Sequence, residues 1–164
     1  SPVSFSERAI DNLSRRKAKV PNWYLDLSLI VNYWSGQKRA YHHTAPINMI
    51  YGLRAALDVV LEEGIEAVIA RHQDAHLQFC DGIESLGLQL LVDPAHRLPM
   101  LNAVKVPDGV DEASVRSRLR TEHKIEVGAG LGPLAGKIWR VGLMGHTARK
   151  ANVERVLSAL GASL

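Results

Sequence analysis

The sequence predicts an α/β protein built around a small α+β unit, a short sheet covered by helices on one side. Three observations predict it. Apolar residues recur at helical spacing from Ile65 to Leu86, short strand-like runs broken by prolines follow Gly87, and residues 138–144 alternate with the period of a strand.

Taken in order, Val3-Ser4-Phe5 reads as a short strand. A helix follows, with Ser4 and Glu7 at capping-box spacing and Ile10 and Leu13 on one face. Pro21 interrupts the chain. Trp23 to Trp34 carries Leu25, Leu29, Ile30 and Tyr33 on an amphipathic helix that Gly36 ends, and Ser35 to Arg39 form a polar loop. Pro46 opens the next helix, where a missing N–H is harmless; Ile50, Leu53, Leu57, Val60 and Leu61 sustain it to Gly64. Ile65, Val68, Ile69, Ala75, Phe79, Ile83 and Leu86 mark the following helix, which Gly87 closes.

Beyond it, Leu88–Val92 and Leu101–Val106 read as strands, punctuated by Pro94, Pro99 and Pro107. Asp111 caps a helix that buries Val115 and Leu119. Ile125-Glu126-Val127 is a strand leading into a glycine-rich turn. From Ile138 to Met144 the alternation sets Ile138, Arg140 and Gly142 on one face and Trp139, Val141 and Leu143 on the other. Thr147 caps a last helix with Val153, Val156, Leu157 and Leu160 on its apolar side. The part ahead of Gly64 has helices but too few strands to close a core, so it reads as a piece of something larger. Its apolar residues around Leu53 and Leu57 are expected to be exposed and to favour self-association.

Composition narrows the classes of function. The 164 residues are 46% hydrophobic and 23% charged, which supports a buried core. Charge interrupts every apolar run well short of the ~20 residues of a membrane span, and the chain opens without signal-peptide character. A single cysteine, Cys80, excludes an internal disulfide and suits a reducing compartment. Ala162-Ser163-Leu164 lacks the basic residue of a peroxisomal address, so a cytoplasmic location is expected. The net charge of +3 gathers at Arg15-Arg16-Lys17-Ala18-Lys19 and at Arg116, Arg118 and Arg120 without interleaved aromatics, as solvated helix surface does. No nucleic-acid or membrane partner is expected.

Several motifs fail on inspection. Gly136-Lys137 is followed by Ile138 and not by Ser or Thr, so there is no phosphate-binding Walker loop. Gly130-Leu131-Gly132 leads through Pro133 into a strand and not into a helix, unlike a dinucleotide fingerprint. His72 and His76 have metal-ligand spacing but lack the intervening glutamate of a zinc protease, and no metal is expected. Cys80 reads as a packed core residue.

Two constellations stay open. Tyr41-His42-His43-Thr44 places hydroxyls directly ahead of a helix start, an arrangement suited to an anion such as phosphate. Arg140 is a guanidinium inside an apolar strand, which calls for an anion: a ligand carboxylate held in two hydrogen bonds, or a structural salt bridge to Glu126 or Asp111.

Read together with Ser4-Phe5-Ser6, Trp23-Tyr24-Leu25-Asp26, Tyr51-Gly52-Leu53-Arg54, Leu86-Gly87-Leu88-Gln89-Leu90, Arg97-Leu98-Pro99, Gly130-Leu131-Gly132-Pro133 and Gly136-Lys137-Ile138-Trp139-Arg140-Val141-Gly142-Leu143, these phrases resemble the class V aminotransferases of the alanine–glyoxylate and serine–pyruvate group. The resemblance covers nearly the whole chain and corresponds to the C-terminal part of such an enzyme. It implies the fold of the fold-type I pyridoxal-phosphate-dependent transferases. Residues 1–64 would be the remainder of the large cofactor-binding domain and 65–164 the small C-terminal domain. It further implies a homodimer in which Tyr41 and Thr44 reach the cofactor phosphate of the other subunit. Arg140 would grip the α-carboxylate of a small amino acid such as alanine or serine, with glyoxylate or pyruvate as acceptor.

One departure matters. The lysine that forms the Schiff base with pyridoxal phosphate lies, in the relatives, a short way before the Pro2-Val3-Ser4-Phe5-Ser6 stretch, hence ahead of Ser1. Lys137 matches no such position. No catalytic residue is therefore assigned within the chain, which by itself is expected to be inactive and not to carry the cofactor covalently. The competing expectation is a non-catalytic interaction module derived from the same fold.

Overall fold

The computed structural model describes residues 3–34 and 40–164. It divides into two compact units, Ser1–Arg54 and Ala55–Leu164.

In the first unit, helix α1 spans Glu7–Ser14 and α2 spans Leu27–Trp34, and the division between the units falls inside α3, Ile47–Glu63. None of these three helices contains a buried residue. Leu53 and Leu57 are 46% and 49% exposed, as their sequence context predicts. Three local expectations are corrected here. Residues 3–5 form no strand, since nothing among the described residues of this unit offers a strand to pair with. The cap of α1 is Ser6, not Ser4: its hydroxyl accepts the N–H of Ala9 at 3.3 Å. The helix expected over Trp23–Trp34 is broken at Asp26, whose carboxylate accepts from the Ser28 N–H at 3.0 Å and hydroxyl at 2.6 Å, leaving a 3-10 turn at Trp23–Leu25 ahead of α2. The Gly36 stop and the Ser35–Arg39 loop lie outside the described residues.

In the second unit, Gly64 adopts φ +86°, a conformation that closes α3 and separates it from α4, Ile65–Ser85. Strand β1 spans Leu101–Lys105, α5 spans Glu112–Thr121, β2 is Gly128–Ala129, β3 spans Ile138–Gly142, and α6 spans Lys150–Ser163. The strands form one antiparallel sheet in the order β1-β3-β2.

The core lies between the helices and the face of the sheet that carries Trp139 and Val141. Phe79 and Ile83 come from α4, Val115 and Leu119 from α5, and Val153, Val156 and Leu160 from α6. Each such burial contributes roughly 1.5–3 kcal/mol, and the Trp139 indole N–H is satisfied by the Glu112 carbonyl at 3.3 Å. The core of the described residues therefore lies in this unit.

Differences from expectation here are shifts of pairing. Leu88–Val92 is an extended neighbour of β1, joined through Leu91 N–H to Ala103 O and Lys105 N–H to Gln89 O, but contributes a single bridge at Leu90–Val104. The strand expected at Ile125–Val127 is moved to Gly128–Ala129, because those are the residues that lie opposite Arg140 and Trp139. Asp111 caps α5 through the Ala113 N–H as expected. Thr147 does not cap α6; its hydroxyl closes a 3-10 turn on Met144, and Arg149 is the N-cap, without a side-chain hydrogen bond.

Candidate active site

The first constellation, Tyr41 to Thr44, belongs to the first unit. The Tyr41 and Thr44 hydroxyls meet at 2.5 Å, and both side chains are exposed, Tyr41 to 71%. Between them in sequence lies His42, which is buried. Its ring stacks on Trp23 at 4.2 Å between centroids, and its Nε2 donates to the Trp23 carbonyl at 3.2 Å. Because a carbonyl only accepts, Nε2 carries a proton, and a single proton lies between His42 Nδ1 and His43 Nδ1, 2.7 Å apart. The segment is thus anchored to the 3-10 turn at Trp23, and two hydroxyls stand in solvent shortly before α3. Sequence reading missed the part played by His42. The only trace of it is an adjacent histidine pair preceded, at long range, by a tryptophan.

The second constellation belongs to the second unit. Arg140 is at the centre of β3, half-buried, with Ala103 of β1 and Gly128 of β2 directly opposite in register. Its Nε donates to the Ala129 carbonyl at 2.7 Å. No described carboxylate pairs with it. Asp111 is occupied as the cap of α5, and the carboxylates of Glu63 and Glu112 are paired with Arg71 and Arg116. Of the two readings left open by the sequence, the salt bridge to Glu126 or Asp111 is not formed. The terminal nitrogens of Arg140 have no hydrogen-bond partner among the described residues, so the guanidinium presents an edge on which a planar oxyanion can be held at two points.

The other candidates are committed elsewhere. His72 donates from Nδ1 to Val68 O at 2.7 Å and accepts the Gly145 N–H on Nε2 at 2.9 Å. His76 Nδ1 bonds the Asn102 amide oxygen at 2.8 Å inside the core. Cys80 lies 3.6 Å from His76 Nε2, and burial pushes its thiol pKa up, which disfavours the nucleophilic thiolate. Lys137 is exposed, immediately ahead of β3.

A three-stranded antiparallel sheet covered by helices, presenting an arginine with no carboxylate partner among the described residues, together with a hydroxyl pair ahead of a helix, defines an α/β protein with two places that could take an oxyanion. Residues 24–156 match the family described as aminotransferase class-V, and the chain belongs to that family. It is 40% identical to the alanine–glyoxylate aminotransferase of Drosophila melanogaster, over 100% of this chain and 42% of that one. It is 37% identical to the (S)-ureidoglycine–glyoxylate transaminase of Bacillus subtilis, over 100% and 44%. Among solved structures, it superposes on an alanine–glyoxylate aminotransferase from Nostoc sp. with a TM-score of 0.89 and 50% identity, covering 98% of this chain and 42% of that one. The chain therefore spans about two-fifths of the length of the relatives it matches.

Proposed function

We propose that the chain forms part of a pyridoxal-phosphate-dependent aminotransferase that moves an amino group from a small amino acid, alanine or serine, to glyoxylate or pyruvate. The observation that carries this reading is Arg140: a strand-borne guanidinium, tethered at Nε and free of any described carboxylate, is built to take a substrate α-carboxylate and orient the rest of the molecule. The relatives named above, which act on alanine or ureidoglycine and on glyoxylate, support the choice of small amino and oxo acids.

The hydroxyls of Tyr41 and Thr44 fit the cofactor phosphate, since each can turn from the other to donate to a phosphate oxygen. Pyridoxal phosphate supplies, when bound, the electron sink that transamination requires. On this reading residues 1–64 belong to the large cofactor-binding domain and 65–164 to the small domain. Two copies pair, with Tyr41 and Thr44 serving the partner's cofactor; the exposed apolar residues of α3 support an extended contact surface. On this reading the chain by itself is inactive, because Lys137, three residues ahead of Arg140, does not match the lysine that forms the Schiff base in the family, and the resemblance assigns that lysine to no position of this chain. A cytoplasmic location completes the proposal, in keeping with the single cysteine of the 164 residues.

The test is Arg140→Ala in the complete protein. A fall of about a hundredfold in kcat/KM for the amino donor is expected. Arg140→Lys should recover only part of it, because an ammonium cannot reproduce the two-point geometry. Unchanged donor kinetics in Arg140→Ala would remove the role.

A further inference from the structure

We infer that Gly128 is a positioning residue for Arg140: the bare backbone of β2 is the surface against which the guanidinium is laid and aimed. The inference rests on the reading of Arg140 as the carboxylate grip, and deepens it.

Residues directly opposite on antiparallel neighbours point their side chains to the same face of the sheet. Gly128 is opposite Arg140, so any side chain at 128 would share the space that the arginine uses. A Cβ built there would stand 3.3 Å from both Nε and Nη2 of Arg140 and 3.5 Å from its Cβ. The arginine therefore leans across the glycine along its whole length. That lean brings Nε to the Ala129 carbonyl at 2.7 Å.

Gly128 is not among the glycines with positive φ, so its backbone does not demand glycine. What demands it is the close passage of a charged side chain. The geometry has a chemical consequence. With Nε bound to the backbone of β2, the guanidinium plane is fixed by main-chain atoms, and the terminal nitrogens remain for the ligand. A methyl group at 128 shifts the fork by a few tenths of an ångström. A branched side chain lifts it off β2, breaks the Nε bond and turns the plane. Gly128 touches no reacting atom in this account; it acts through Arg140.

The experiment compares Gly128→Ala, Gly128→Val and Arg140→Lys in the complete protein, each first shown to retain its cooperative thermal transition. Expected for Gly128→Val is a rise of about tenfold in KM for the amino donor, with kcat and cofactor affinity changed less than about twofold. Gly128→Ala should show a smaller rise in the same direction, and it carries the test if the valine variant does not fold. Calorimetric titration with propionate, a carboxylate that cannot react, should weaken in parallel. A folded Gly128→Val with unchanged donor KM and propionate affinity, beside an Arg140→Lys that loses both, would overturn the positioning role and leave the grip standing. If Arg140→Lys also keeps both, the grip itself is refuted.

Discussion

Arg71 and Glu63 face each other across Gly64 in a two-point ion pair, Nε to Oε1 at 2.5 Å and Nη2 to Oε2 at 2.8 Å. The remaining amino group of Arg71 donates to the carbonyls of Gly145 at 2.9 Å and Ala148 at 2.8 Å. One side chain thus ties the end of α3, the start of α4 and the turn ahead of α6.

This arrangement predicts a specific acid response. The hydrogen bonds from Arg71 hold the Glu63 carboxyl below the usual carboxylate range. A carboxyl with a lowered folded value stabilises the protein fully above its ordinary pKa, and loses that contribution as pH falls through the lowered one. Glu63→Gln should therefore melt below the parent protein at neutral pH, and the gap should close as the solution becomes strongly acid. Melting temperatures measured across that range check it; a gap independent of pH would contradict the assignment.

Gly130→Ala should destabilise the second unit by roughly 1–3 kcal/mol. A Cβ there would overlap the backbone carbonyl of Leu134 and press on the Ile138 side chain, and a carbonyl cannot rotate aside as a side-chain tip can. Chemical denaturation with an unchanged m-value would show the loss as one of native stability.

Thr44→Val should weaken binding of pyridoxal phosphate to the complete protein by about tenfold, the worth of roughly one hydrogen bond to a charged group. The donor KM should stay as it is, because the hydroxyl touches only the phosphate in the proposed arrangement. Absorbance titration reads the first effect and steady-state kinetics the second.

What the sequence could reveal follows from the range of the interactions involved. Helix α4 was legible because its apolar period and its flanking glycines are local signals, and Phe79, Ile83 and Gly87 fall where that period puts them. Arg140 stood out because charge inside an apolar strand is anomalous in any fold. The caps were harder: Ser4 and Ser6 are both competent acceptors, and only backbone geometry selects the second. Thr147 likewise looks like a cap but spends its hydroxyl on Met144. A strand of two residues, Gly128 and Ala129, has no periodicity to detect. Its existence depends on β3, which is remote in sequence, so the support for Arg140 was invisible until the pairing was known.

The strand order β1-β3-β2 also bears on how the chain acquires its shape during synthesis. The middle strand is the last of the three to be made. Until Gly142 has left the ribosome, β2 and the edge of β1 that faces β3 wait with unpaired backbone groups. Both ladders of the sheet, Leu101 to Gly142 and Gly128 to Arg140, therefore need β3 before either can form. Nascent chains halted short of residue 138 would hold two edges without a centre, the kind of surface that chaperones recognise and that aggregation exploits.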